Sequence, residues 1–523
     1  MKNKILINLL LLIGVQLTFS QNKIDNIQLK WSPVFNDHRM NAFKYLGKDT
    51  QNNIYFNQKD FTSKSNFTSN LSTKLSKLNK NLLKKDYKVK FDKKTYPIFM
   101  LMLNKELHLI STTKDKERQK TFFIDQTINK KSFNVSKQQS KLIEIDFKND
   151  KKYILSDIKH YFSPDSTKLL IKYVFSGKGK EKFYLGLHVF DTNLNKLWGK
   201  KIQMPVVKRY FKLLDFKVDN DGKVFVLGKV YKNNRKNDYY RKKKNFYLTV
   251  LAYNNGSKMK EYKINGHQNL FDAKLKIGND SNLIISGLYS KDKSLGADGY
   301  FFMKIDTKQQ KVLYNKYEKF NLDLLTEGMD EKEKKKTLKL IKKDKFKGLE
   351  HQIIKNVVAK PDGGVIIFSE YNHFEESLNF YKYGTFDKNG TKELSFSYGN
   401  ILILNLDEKG NIIWHKTINK FQYAENLYIN EAMSFMVIDR KDKIYIIYNG
   451  KGKTHRKKDA ITKLKIIDKA DGSVDTKVLF KMKDKKVLFI PKFSIKIDKD
   501  EYILVNHNKA KKSYRYAKLK FVD

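Results

Sequence analysis

The sequence predicts an all-β fold built from one repeated unit, and three observations carry that prediction. Short apolar runs alternate with polar turns along the whole chain. The turns are rich in Asp, Asn, Gly and Pro, and the pattern recurs at roughly fifty to sixty residues. Aromatic residues make up 13% of the chain and prolines number only 6, a mixture that suits strands rather than disorder despite the high charge.

The unit has two parts. The first is a strand, a short turn and a second apolar strand. Its turns include Asp49-Thr50-Gln51-Asn52-Asn53, Pro164-Asp165-Ser166-Thr167, Asp219-Asn220-Asp221-Gly222 and Gly278-Asn279-Asp280-Ser281. Pro361-Asp362-Gly363-Gly364, Asp439-Arg440-Lys441-Asp442 and Asp498-Lys499-Asp500 continue the series, and Asn104-Lys105-Glu106 is a weaker member. These residue types supply the backbone angles and local side-chain hydrogen bonds that tight turns require. The second part is a longer strand ending in Asp, a turn and a final strand, as in Leu187 to Asp191 leading to Trp198, or Ile401 to Asp407 leading to Trp414. At matching places in their repeats, both tryptophans read as packing wedges.

Two hairpins make a four-stranded sheet that cannot bury both faces alone, whereas neighbours stacked around an axis bury them all. The expected fold is therefore a β-propeller of eight four-stranded blades, with an open stack of sandwiches as the alternative. The last unit is one strand short, and Ile27 to Trp31 is placed to supply it. Such pairing of first and last strands closes the ring and removes exposed edges.

The N-terminus reads as a secretory signal peptide over 1–20. Lys2 and Lys4 precede an apolar run from Ile5 to Val15, and Thr18 and Ser20 stand before Gln21 as small residues for a peptidase. The remainder, 21–523, reads as one propeller domain, periplasmic or extracellular. Cysteine is absent, which excludes disulfides, thiolate metal sites and thiol catalysis. The formal charge is +50, yet arginine occurs only at 39, 118, 209, 235, 241, 440, 456 and 515 among 106 basic residues. Phosphate readers lean on arginine's planar fork, so this lysine bias disfavours nucleic acid as a partner. Most of the charge reads as solvated surface.

Pro164-Asp165-Ser166 followed by an apolar strand resembles the repeats of WD40-like and Tol-type propellers. Phe320-Asn321-Leu322-Asp323, the helix-like run from Met329 to Lys343 and Lys360-Pro361-Asp362-Gly363-Gly364 are similar to a family of uncharacterised exported propeller-like bacterial proteins. Asn400 to Ile403, Asp407 and Gly410 to Trp414 share the resemblance. It implies export and a propeller body with an insertion, and it implies no activity.

In a blade, the loop between the second and third strands shares a face with the link to the next blade. That face is expected to be basic. Lys232, Arg235, Lys236, Arg241, Lys242, Lys243 and Lys244 form the candidate polyanion-binding loop, opposed only by Asp238. Blade six is expected to break the face with an acidic sector of Glu370, Glu375 and Glu376 near His373. Two insertions are expected there, at about 318–350 and 369–398. Asp330 and Glu333 have capping-box spacing, and Leu338 and Ile341 are placed to pack inward. The second insertion offers a candidate partner-binding patch of Tyr371, His373, Phe374, Phe380, Tyr381 and Tyr383; the competing reading is mutual packing of the two insertions.

Catalytic and cofactor motifs are not found. There is no Gly-x-Ser-x-Gly elbow. Gly452-Lys453-Thr454 lacks the earlier glycine of a phosphate loop, since Ile447 stands there. Asp219-Asn220-Asp221-Gly222 lacks calcium ligands at Lys217 and Gly228. Ser163-Pro164-Asp165 begins like a sialidase aspartate box, but Thr167 replaces its glycine. No catalytic, cofactor or metal residue is assigned. The sequence thus points to a non-catalytic binding scaffold for a protein or an anionic polymer, against an alternative of a glycan-active hydrolase or lyase with acidic residues in an axial pocket.

Overall fold

The computed structural model describes residues 22–522 except 37–41, 60–73, 93, 148–153, 178–181, 234, 241–242, 265, 267, 292–295, 383–384, 426–431, 451–459 and 509–511. The expected signal segment, 1–20, lies outside the described residues. Eight antiparallel sheets follow one another along the chain, at 42–88, 96–146, 154–207, 211–264, 269–319, 352–418, 435–481 and 488–521. They are blades 1 to 8 of a β-propeller. Within each, strands are lettered a to d from the axis outward, and first strands of neighbouring blades touch around that axis, as between blades 3 and 4, 4 and 5, 5 and 6, and blade 8 against blade 1.

The core is not one central mass. It is divided into eight apolar clusters, and each joins one blade to the next. Strand b of blade 4 shows why its sequence is continuously apolar: Val224 and Val226 pack toward blade 3, while Phe225 and Leu227 pack toward blade 5. Both faces of a blade are dry, so alternation disappears from its middle strands.

All eight predicted turns join strand a to strand b. In several the leading carboxylate accepts backbone amides across the turn, as Asp49 does from Gln51 and Asn53, and Asp219 from Asp221 and Lys223. Ring closure is as expected. Ile27 to Trp31 pairs antiparallel with Ala517 to Phe521, and Asn22–Ile24 adds a further strand outside it. Ile27, Leu29 and Trp31 are buried in the seam between blades 7 and 8. Trp198 and Trp414 do wedge blades together. Each indole N–H also donates to a turn of the following blade, to the Gly222 carbonyl at 2.9 Å and the Lys469 carbonyl at 2.8 Å.

A repeat in the inner strands escaped sequence reading. Asp157-Ile158-Lys159, Asp215-Phe216-Lys217 and Asp272-Ala273-Lys274 lie at equivalent bulges of strand a in blades 3, 4 and 5. Asp215 accepts the Leu275 amide of the next blade at 3.0 Å, and Asp272 accepts the Ile354 amide at 2.6 Å. Asp157 holds the ammonium of buried Lys172. These carboxylates tie neighbouring blades and neutralise buried lysine; burial is the main influence on Asp272 and raises its pKa.

Candidate functional site

The a–b and c–d turns lie on one face of the disc, and the b–c loops and interblade links on the other. Both regions singled out by sequence rise from the link face. In blade 4, Lys232, Arg235 and Lys236 are exposed on the b–c loop. Asn245, only 1% exposed, organises it: its side-chain amide donates to the Arg235 and Asn237 carbonyls, both at 2.9 Å, and its backbone N–H to Asp238 O at 2.8 Å. Asp238 in turn pairs at 2.6 Å with Lys229, which lies 3.7 Å from the Phe246 ring centroid. The loop's one acid, itself exposed, is thus paired with a buried lysine at the base of the loop.

Lys244 behaves differently from its neighbours. Its ammonium donates to the Gln268 and Gly266 carbonyls at 2.8 and 3.4 Å, fastening the loop to the next interblade link. Burial, with Lys232 and Lys229 adding repulsion, lowers its pKa to about 8. Lys243 lies on a short hairpin strand opposite Tyr240, and Arg241 and Lys242 are outside the described residues.

The link from blade 5 to blade 6 contains helices α1 (Leu322–Thr326) and α2 (Glu331–Lys342). The capping box is present: Asp330 accepts the Glu333 amide at 2.8 Å, and Glu333 accepts the Asp330 amide at 3.3 Å. Ile341 packs onto the core between blades 5 and 6, while Leu338 is half-buried and Thr337 is the buried residue of α2. The insertion docks chiefly on the outermost strand of blade 6. Glu327 meets His415 and Lys416, both at 3.2 Å, and Asn419 donates to the Gly328 carbonyl at 2.8 Å. It meets the second insertion at its base, where the His351 ring lies 4.3 Å from His373 and 5.5 Å from Tyr371.

The second insertion is a long extension of strands b and c of blade 6, Val365–Lys382 and Thr385–Leu406. Register decides which side chains share a face. His373 stands opposite Ser397 and Glu375 opposite Ser395. Beyond strand c, Gln422–Glu425 adds a third strand that places Tyr423 opposite Ser397 and Glu425 opposite Ser395. One face is therefore a trough. Its floor is serine, its walls are His373 and Glu375 on one side and Tyr423 and Glu425 on the other. Tyr371 continues the first wall over Gly399, where a β-carbon would come within 3.0 Å of the tyrosine. Tyr423 is 51% exposed, and its hydroxyl donates to Glu425 at 3.2 Å. Burial depresses His351, helped by His373 and opposed by Glu350.

Phe374 falls on the opposite face, against Phe396 with ring centroids 5.2 Å apart, and remains 50% exposed. Phe380 and Tyr381 belong to the same strand, where Tyr381 pairs with Phe386, and Tyr383 lies outside the described residues. Tyr371 and His373 therefore lie on one face of the extension and Phe374 on the other. Tyr423, Glu425 and His351 were missed because they come from other segments: strand pairing brings in the first two, and the interblade link brings His351 beside His373.

The acidic sector requires a correction. Glu375 and Glu376 are exposed as expected, but Glu370 is 0% exposed. Its carboxylate meets the Lys420 ammonium at 2.7 Å and Lys355 at 3.4 Å, and accepts the Ser434 hydroxyl at 2.6 Å. Lys420 also donates to Gln422 at 3.0 Å, and Gln422 accepts the Ser434 amide at 2.8 Å. Glu370 lies within the alternation of strand b that faces blade 7, so an ionised side chain there needs buried partners.

No protein-family model matches the chain. No curated protein matches it in sequence. Among solved structures it is similar to the β-propeller domain of the Trilobed protease from Pyrococcus furiosus, at 11% identity and a TM-score of 0.32, over 82% of this chain and 94% of that one. It is similar also to the Synechocystis apocarotenoid oxygenase, at 9% identity and TM-score 0.37, over 90% and 95%. An oligogalacturonate lyase matches at 10% identity and TM-score 0.33, over 82% and 96%. At this level of similarity no activity transfers to the chain.

Proposed function

We propose that the protein is an exported, non-catalytic binding scaffold whose link face recognises an anionic polymer or an acidic partner protein. One observation carries the reading: Lys232, Arg235 and Lys236 are exposed on a loop whose frame is fixed by buried Asn245 and whose only acid, Asp238, is already paired with buried Lys229. A preorganised cationic loop binds with less ordering entropy than a free lysine tail. The N-terminal order of Lys2, Lys4 and the run Ile5 to Val15 supports export. The engagement of Asp157, Asp215 and Asp272 with lysine and neighbouring-blade amides favours a structural use of the inner-strand carboxylates over axial hydrolysis.

The test is heparin retention of the mature chain. Replacing Lys232, Arg235 and Lys236 together by glutamine is expected to lower the eluting salt concentration clearly. A control removes the same charge from exposed turns of the opposite face, at Lys105, Lys308 and Lys409. An equal shift in both triple variants would mean that net charge, not this loop, does the binding.

A further inference from the structure

The trough on blade 6 lies on the same link face as the basic loop but has the opposite chemistry. We propose that it is a second binding site, for a neutral polysaccharide chain. Four features lead there. The first is backbone saturation. Strand c, which forms the floor, is hydrogen-bonded along Ser395 to Tyr398 by Glu375 to Asn372 on one side and by Gln422 to Glu425 on the other. A peptide cannot add to that floor as another strand, so recognition falls to side chains.

The second feature is the walls. His373 and Tyr423 stand two strand spacings apart, roughly 10 Å between backbones, with only a serine between them. Rings of this kind offer an apolar face and a polar edge, which match the C–H face and hydroxyl rim of a pyranose. The third is orientation. The Tyr423 hydroxyl donates to Glu425 at 3.2 Å and also meets the Ser395 hydroxyl, so the ring leans over the serine floor and is held there before any ligand arrives.

The fourth feature is charge. Glu375 and Glu425 flank the serine hydroxyls on a protein of formal charge +50. Carboxylates accept sugar hydroxyls well and repel uronates and sulfates. The trough therefore selects against the polyanions that the rest of this surface attracts, and the chemistry left is that of an uncharged glycan.

The test is calorimetric titration of the mature chain with cellohexaose, xylohexaose and chitohexaose, and with hexagalacturonate as the charged comparison. At least one neutral oligosaccharide is expected to bind, and Tyr423→Ala to weaken it about ten-fold or more, as loss of an aromatic anchor does. Tyr423 is exposed, so that variant should fold; Ser397→Trp, which fills the floor, is expected to abolish binding, with circular dichroism as the check on folding. Failure of all three neutral ligands overturns the proposal. So does tighter binding of hexagalacturonate, or binding that Tyr423→Ala leaves intact. Heparin retention through Lys232, Arg235 and Lys236 is measured separately, so failure at the trough leaves that result standing.

Discussion

Removing the charge of Glu370 should destabilise blade 6 in a way that depends on pH. Glu370→Gln keeps the shape and one acceptor for Ser434, but it leaves Lys420 and Lys355 without their shared counter-charge. Breaking a buried pair by removing one partner typically costs about 3–5 kcal/mol, because the remaining ion stays out of water. Lys420 keeps only the Gln422 oxygen at 3.0 Å and the Tyr398 carbonyl at 3.4 Å. Its pKa is already lowered from 10.5, by burial first, with Glu370 opposing the shift. Without Glu370 it falls further. In the window between the folded value and 10.5 the unfolded chain then binds more protons than the folded one, so stability rises with pH there. The deficit of the variant should therefore be largest near neutrality and shrink as pH climbs toward the ordinary lysine value. Urea unfolding followed by tryptophan fluorescence suits the assay, since Trp414 sits in the same blade. A loss below about 1 kcal/mol, or one that stays constant between about pH 7 and pH 10, would refute the buried-pair argument.

Two further outcomes follow from the packing. Leu29→Ala, at the closing strand, should cost about 2–5 kcal/mol in thermal or chemical denaturation, and deleting residues 22–31 should expose the edge of Ala517 to Phe521 and produce aggregates visible by light scattering. Trp414→Phe, which keeps a wedge but loses the bond to the Lys469 carbonyl, should cost about 1 kcal/mol beyond its volume change, whereas Trp414→Ala should cost about 3–5 kcal/mol; equal losses would mean that the hydrogen bond, not the wedge, holds blades 6 and 7 together.

Features set by neighbours in sequence were legible. The a–b turns and the capping box of Asp330 and Glu333 are local, with partners only a few residues away. The matching tryptophans were legible from their repeated position, although their partners Gly222 and Lys469 lie in the next blade. The inner-strand Asp-x-Lys repeat at 157, 215 and 272 escaped notice because it is short and surrounded by lysine, and its meaning depends on an amide in the next blade. Glu370 misled because it stands beside two exposed acids, while Lys420 and Ser434 lie fifty and sixty-four residues away.

The periodic pattern of apolar runs and turn residues determined the eight sheets and the closing strand, because backbone angles and two-sided burial are written residue by residue. Only tertiary structure decided what the surface does with its charges. Strand register put Tyr423 and Glu425 across from His373 and Glu375, and blade stacking turned Glu370 and Lys244 inward. The physical reason is that solvation and counter-charge depend on distance in space, which a chain of this composition leaves open until it closes into a ring.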